Sequence, residues 1–251
     1  MAAVVVLAGG CGGGGGTASV SAGFIARAAA STDEQESARI AMTMDVDGRV
    51  LEGDGVIALD GSALEMTFSV PGQGEIEERL VDRMLYMRMP GAAAEVGTTW
   101  ISMDLDGMLP EQQADARASN GGDPSSTLDA LRGANGDVET LGRDELRGGP
   151  ATHYRVRLDA QAGLERAKAQ FPGPLSDEQI EAIRNMDGEP VDVWIDDDGR
   201  VLQERFTVTM PQGRVRMTME LYDFGVRADV QAPPASDTTD YTDRMRGTAT
   251  A

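Results

Sequence analysis

The sequence predicts an α+β fold: a strongly curved, mostly antiparallel β-sheet of about eleven strands, a half-barrel, covering several helices. Three observations predict it. Apolar residues alternate with polar ones over short stretches; Asp-Gly and Pro-Gly pairs punctuate those stretches; and a few segments switch to helical spacing. Consecutive hairpins make a meander, and a long antiparallel meander curls because each strand pair twists.

The elements follow in order. Ser21 to about Gln35 reads as a helix, with Phe24, Ile25 and Ala28 to Ala30 apolar. The period then becomes two: Ile40, Met42, Met44 and Val46 alternate with Ala41, Thr43 and Asp45. Asp47-Gly48 is a strong hairpin signal, and Arg49 to Leu59 returns as the second strand. After Asp60-Gly61, the residues Leu64, Met66, Phe68 and Val70 form the apolar side of a third. Pro71-Gly72 turns into Glu75 to Val81, and strands follow at Leu85 to Met89 and Trp100 to Leu105. The stretch from Leu109 to Asn120 is polar and mixed, and Ser125 to Thr127 cap a helix over Leu128 to Ala134.

Strands resume at Val138 to Leu146 and Thr152 to Leu158. Ala160 to Phe171 and the stretch after Ser176, with Ile180 and Ile183, have helical spacing. Val191 to Ile195, Val201 to Met210 and Arg214 to Leu221 close the sheet. The Pro-, Thr- and Asp-rich residues 229–251 have the composition of a disordered tail. The division expected is therefore an export segment 1–10, a tether 11–20, one β domain with helices 21–228, and that tail.

Charge excludes some functions. Against 42 Asp and Glu stand 22 Lys and Arg, a net −20. Nucleic-acid binding needs a basic stripe to neutralise phosphates, so no nucleic-acid partner is expected. The same field is repelled by anionic lipid headgroups. A protein of this charge held at a membrane needs another anchor.

The amino terminus offers one. Met1 to Gly10 is a short apolar run ending in small residues, too short to span a bilayer and shaped like an export signal. The single cysteine, Cys11, follows it and opens a glycine tract. No Lys or Arg precedes Arg27, so the basic start of an export signal is expected from a start codon further upstream. The run Leu7-Ala8-Gly9-Gly10-Cys11 resembles the bacterial lipobox, which implies a diacylglycerol on Cys11 and placement on the outer face of the cytoplasmic membrane. The lipobox leucine normally stands three residues before the cysteine; here that position is Ala8. Two acyl chains suffice to hold a protein stably at about 0.8 kcal/mol per buried CH₂. Gly12 to Val20 is then a flexible tether.

Little else in the chain suggests chemistry. Asp45-Val46-Asp47-Gly48 and Asp196-Asp197-Asp198-Gly199 lack the alternating oxygens and closing glutamate of a calcium loop and read as hairpin turns. His153 is the one histidine, and no nucleophile motif accompanies it. With one Cys and one His, no metal cluster, no resident cofactor and no catalytic set is expected. The methionines stand out. Met42, Met44, Met66, Met87, Met89, Met103, Met210, Met217 and Met219 fall in predicted strands, where branched and aromatic residues are usual. They fit either an ordinary core or a face that re-packs around a flexible apolar ligand.

The lipobox cysteine, the tether, the short helix and the successive Asp-Gly hairpins resemble actinobacterial lipoproteins of the LppX/LprG type. The Gly148-Gly149 turn into Thr152-His153-Tyr154, the helical stretches around Pro172 and Pro174, and the closing hairpins from Val191 carry the resemblance further. It covers about Ala38 to Val230. It implies a LolA-like sheet enclosing an apolar cavity that binds acylated lipids, with a role in envelope lipid transport, an envelope transporter as partner and no enzymatic activity. Carried over position by position, the cavity lining is Met42, Met44, Leu64, Met66, Phe68, Met87 and Met89. Glu78, between Ile76 and Leu80, puts a carboxylate on that face. The competing reading is a structural or signalling lipoprotein with a filled core that binds an envelope protein.

Overall fold

The computed structural model describes residues 20–46, 48–91, 97–106, 137–157, 190–210 and 213–242, with 128, 131, 159, 161, 164, 165, 168, 180 and 184. It contains α1 (Ala22–Asp33), β1 (Ser37–Val46), β2 (Arg49–Ala58), β3 (Ala63–Val70), β4 (Gly74–Val81), β5 (Met84–Arg88) and β6 (Trp100–Asp104). Then come β7 (Val138–Leu146), β8 (Gly149–Arg157), β9 (Pro190–Asp196), β10 (Val201–Met210), β11 (Gly213–Tyr222) and β12 (Thr238–Asp240).

All twelve strands join one curved, unclosed sheet in the order β12-β6-β5-β4-β3-β2-β1-β11-β10-β9-β8-β7. Every pairing is antiparallel except β12 on β6. The chain lays β1 at the centre, builds one wing outward through β6, and returns β11 to the free side of β1. The class predicted from the hairpins is the class observed, with twelve strands among the described residues where about eleven were expected.

The turn signals act as the sequence implies. Gly48, Gly61, Gly72 and Gly199 all have positive φ, which glycine adopts without cost. Asp45 Oδ1 accepts from Gly48 N at 2.8 Å, and Asp196 accepts from Arg200 N at 2.8 Å. Both former calcium candidates are therefore turn-closing carboxylates.

Helix α1 packs Ile25, Ala28, Ala29 and Thr32 into the main core. Thr32 Oγ1 donates to Ala28 O and accepts from Val201 N, each at 2.8 Å, which pins the helix end to the start of β10. Leu128 and Leu131, both helical and fully buried, join the same core. Gln161, Leu164, Glu165, Lys168, Ile180 and Arg184 are also helical, within the segments where helical spacing was read. Of the several helices expected, α1 is the one described along its length.

The carboxy-terminal segment departs from its composition. A disordered tail was expected over residues 229–251; residues 229–242 instead run from β11 to the far edge of the sheet, and 243–251 lie outside the described residues. Ser37 Oγ donates to Val226 O, Arg79 Nη1 donates to Gln231 O at 3.2 Å, and Thr99 N donates to Asp237 Oδ1 at 3.0 Å. β12 then pairs with β6, Tyr241 N donates to Ser102 O, and Asp104 N donates to Thr242 Oγ1. A Pro- and Thr-rich segment that cannot form a core of its own is ordered here by hydrogen bonds to an existing sheet.

Candidate functional site

The helix-bearing face of the sheet is built from three rungs that cross the central strands. Phe206, Met217, Met44 and Leu51 make the first. Glu204, Met219, Met42, Gly53, Phe68 and Ile76 make the second. Leu221, Ile40, Gly55, Met66, Glu78, Met87 and Ile101 make the third. Register alone thus gathers Met42, Met44, Met66, Met217 and Met219 into one patch beside Phe68. The two glycines of β2 make room for it. A Cβ on Gly53 would collide with the Phe68 ring, and one on Gly55 would collide with Glu65 O and Met66 Sδ.

Of the seven lining positions carried over, Met42, Leu64, Met66 and Phe68 lie in the main core, and Met44 packs at its margin. Met87 packs against a second, smaller cluster of Leu85, Met103 and Leu105. Met89 follows β5 and is 38 % exposed. Met217 and Met219, read as strand residues but not as lining, sit beside the first set. Pairing of β11 with β1 brings them there, and no local pattern encodes that pairing. Gly53 and Gly55 were also missed, although paired glycines inside a strand signal a close approach.

Two carboxylates lie on this apolar face. Glu78 and Glu204 are 6 % and 1 % exposed, and they are the charged residues that are buried among those described. Each is engaged by a partner within the protein.

The opposite face carries a polar cluster around Trp194. His153 stacks on its ring at 3.9 Å, and Arg205 lies 4.8 Å from the ring centre. Trp194 Nε1 donates to Asp144 Oδ2 at 2.6 Å. His153 stands 3.6 Å from both Asp144 and Asp192, too far for a hydrogen bond to either. Arg155 makes a two-pronged contact to Asp192 at 2.7 and 3.0 Å, which raises its pKa above the ordinary value. The arrangement ties edge strand β7 to β8 and β9 and presents no activated nucleophile among the described residues.

A cleft of about 480 Å³ opens beside it, walled by Leu146, Arg147, Asp196, Arg200, Tyr222 and Phe224 among others. Arg147 pairs with Glu220 and caps Tyr222 at 3.6 Å; Arg200 pairs with Asp196 and Asp198. Its cations are thus matched by carboxylates of the chain itself. No group of His, Cys, Asp and Glu among the described residues could hold a metal ion.

No family model matches the chain. A relative from Streptomyces griseus, an uncharacterized 31.2 kDa protein in the rplA-rplJ intergenic region, is 27 % identical over 189 residues. The match takes in 70 % of this chain and 59 % of that protein, so the chain spans under two thirds of its relative's length. Among solved structures the chain is similar to the lipoprotein LppX of Mycobacterium tuberculosis, at 9 % identity and a TM-score of 0.49, covering 82 % of this chain and 98 % of that one. It is similar also to LprF of Mycobacterium bovis, at 14 % identity and a TM-score of 0.46, covering 85 % and 97 %.

Proposed function

We propose that the chain is a lipid-anchored, extracytoplasmic carrier of an apolar, acyl-bearing molecule, held between the curved sheet and its helices, and that it takes part in envelope lipid transport without catalysing a reaction. One observation carries the reading: five methionines and Phe68 form a continuous surface on the helix-bearing face, set over Gly53 and Gly55. Thioether side chains are unbranched and adaptable, so a face made of them can move aside for a flexible chain where a β-branched face would resist. The anchor proposed is diacylglycerol on Cys11, which lies outside the described residues. Among those described, no helix is long and apolar enough to cross a membrane.

Native mass spectrometry of the chain purified from its own envelope tests the cargo. The expected result is a stoichiometric acyl lipid released on unfolding. A chain that is empty in every preparation, and that captures no acyl lipid when offered it, removes the carrier reading in favour of a scaffold that binds an envelope protein. The attachment is read separately: radiolabelled fatty acid should enter the chain and be lost in Cys11→Ser, and label retained in that variant refutes the site.

A further inference from the structure

Beyond β11 the chain stays extended and lays one side on the protein. Half-buried Phe224, Val226, Ala228 and Val230 alternate with exposed Gly225, Arg227, Asp229 and Gln231, and Pro233 is buried. Pro233 and Pro234 stiffen the segment, the latter at φ −57° and ψ 131°, close to the extended polyproline conformation. Residues 226–242 therefore form a strap with an apolar underside.

The strap is fastened to the first, fourth and sixth strands. At the start of β1, Gly225 N donates to Ser37 O and Ser37 Oγ donates to Val226 O. On β4, Arg79 donates to Gln231 O while its guanidinium lies 4.9 Å from the Trp100 ring centre. Just before β6, Thr99 N donates to Asp237 Oδ1, and Thr98 Oγ1 meets Thr239 Oγ1 at 2.7 Å. Its length leaves little slack. From Ser37 to Trp100 the path crosses five strand spacings, roughly 24 Å, and climbs roughly 13 Å along the strands, a diagonal of roughly 27 Å. The nine steps from Val226 to Ala235 span roughly 28 Å in a polyproline-like conformation.

Strands β5 and β6 gain a fastening that their own packing does not supply. No described residue of either belongs to the main core. Leu85 and Met103 form the smaller cluster with Leu105, and Leu80 of β4 is the described side chain that packs against both clusters. The strap adds Tyr241 to that smaller cluster. Among the described residues, the wing is thus joined to the body by the β4–β5 ladder, Leu80 and the strap. The far grip of the strap is light. β12 is the outermost strand and pairs over three residues only, in the parallel arrangement. Short edge elements of this kind open locally before a domain unfolds.

We infer that residues 226–242 are a latch that holds the β5–β6 wing against the central strands, and that release at β12 frees the wing and opens one wall of the space between sheet and helices. Met87 and Ile101, which lie on the helix-bearing face of the wing, are the wall concerned. Its consequence for cargo rests on the carrier reading; the fastening of the wing does not.

The test uses the full chain with Cys11→Ser, which removes the one native cysteine, and spin labels at Arg216→Cys on β11 and Asp106→Cys after β6. Both positions are exposed, and the surface ion pairs they give up contribute little. A Gly-Ser-Gly-Ser insertion between Arg227 and Ala228 adds slack and keeps every fastening residue. The distance distribution between the labels, read by double electron–electron resonance, should broaden while circular dichroism stays unchanged. In the unlabelled chains, release of cis-parinaric acid, a fluorescent fatty acid, to excess phosphatidylcholine vesicles should quicken about fivefold, in step with the population of the freed wing. If the insertion unfolds the chain, Tyr241→Ala, which takes only the ring out of the smaller cluster, is measured in its place with the same readings. A distribution as narrow as the parent's overturns the inference, and so does a broadened one with release unchanged. Broadening in a chain that binds no cis-parinaric acid, with or without the insertion, removes the cargo and leaves the latch standing.

Discussion

The ring of Phe68 occupies the space in front of Gly53, its partner across the β2–β3 ladder, so that a methyl group on that Cα would press into the ring carbons. Gly53→Ala must therefore push Phe68 off the face or spread the strands. Overpacking of this kind costs about 1–3 kcal/mol. Urea denaturation should show the midpoint lowered, and Phe68→Leu in the same chain should recover part of the loss. An unchanged midpoint would mean that the ring does not rest where the geometry puts it.

Thr32 joins α1 to the sheet through one buried hydroxyl, which donates to Ala28 O and accepts from Val201 N. Thr32→Val keeps the shape and leaves the Val201 amide without that acceptor. A buried donor left unpaired costs about 1–3 kcal/mol. Hydrogen exchange at the Val201 amide should rise well beyond the change in global stability, because the local contact is lost first. Equal protection in both proteins would show that the amide has another acceptor.

The residues explain why some of this was legible in advance and some was not. The β1–β2, β2–β3 and β3–β4 hairpins are local: Asp47-Gly48, Asp60-Gly61 and Pro71-Gly72 fix the turns, and alternation fixes which side chains face inward. Nothing local joins β11 to β1, a pairing between segments about 170 residues apart, so Met217 and Met219 could be placed in strands but not beside Met42 and Met44. The order of residues 226–242 was hidden for a related reason. Pro233, Pro234 and the threonines have no periodicity of their own, and their hydrogen bonds go to Ser37, Arg79, Thr99 and Ser102 on strands laid down earlier. Trp194 and Asp144 were likewise unremarkable until two strand pairings brought them within 2.6 Å.

Acid should loosen the carboxy-terminal segment. Thr99 donates its backbone amide to Asp237, which holds that carboxyl below its ordinary 3.8. A carboxylate with a depressed folded-state pKa contributes stability that is present above the ordinary value and is lost as pH falls through the lower one. Exchange at the amides of Thr238 to Thr242 should therefore be slow at pH 6 and, after correction for intrinsic rates, faster near pH 3. Asp237→Asn keeps an acceptor oxygen without the titrating charge and should flatten this dependence. A dependence that survives in the Asn variant must come from another group.

The methionine face separates a core from a binding surface by experiment. Met42→Leu, Met66→Leu and Met219→Leu keep volume and apolarity, so each should change stability by less than about 1.5 kcal/mol. If the face is only a core, lipid content cannot depend on the exchange, since nothing but packing has been altered. If the face opens around an acyl chain, the stiffer leucines resist displacement, because a branched carbon has fewer ways to move aside than a thioether. The triple variant is then expected to melt within a few degrees of the parent yet to retain several-fold less lipid per chain in native mass spectrometry. Lost lipid with preserved stability supports a surface that moves. Lipid retained at the parent level in an equally stable triple variant shows that the methionines serve packing alone, and the carrier proposal would lose the observation on which it stands.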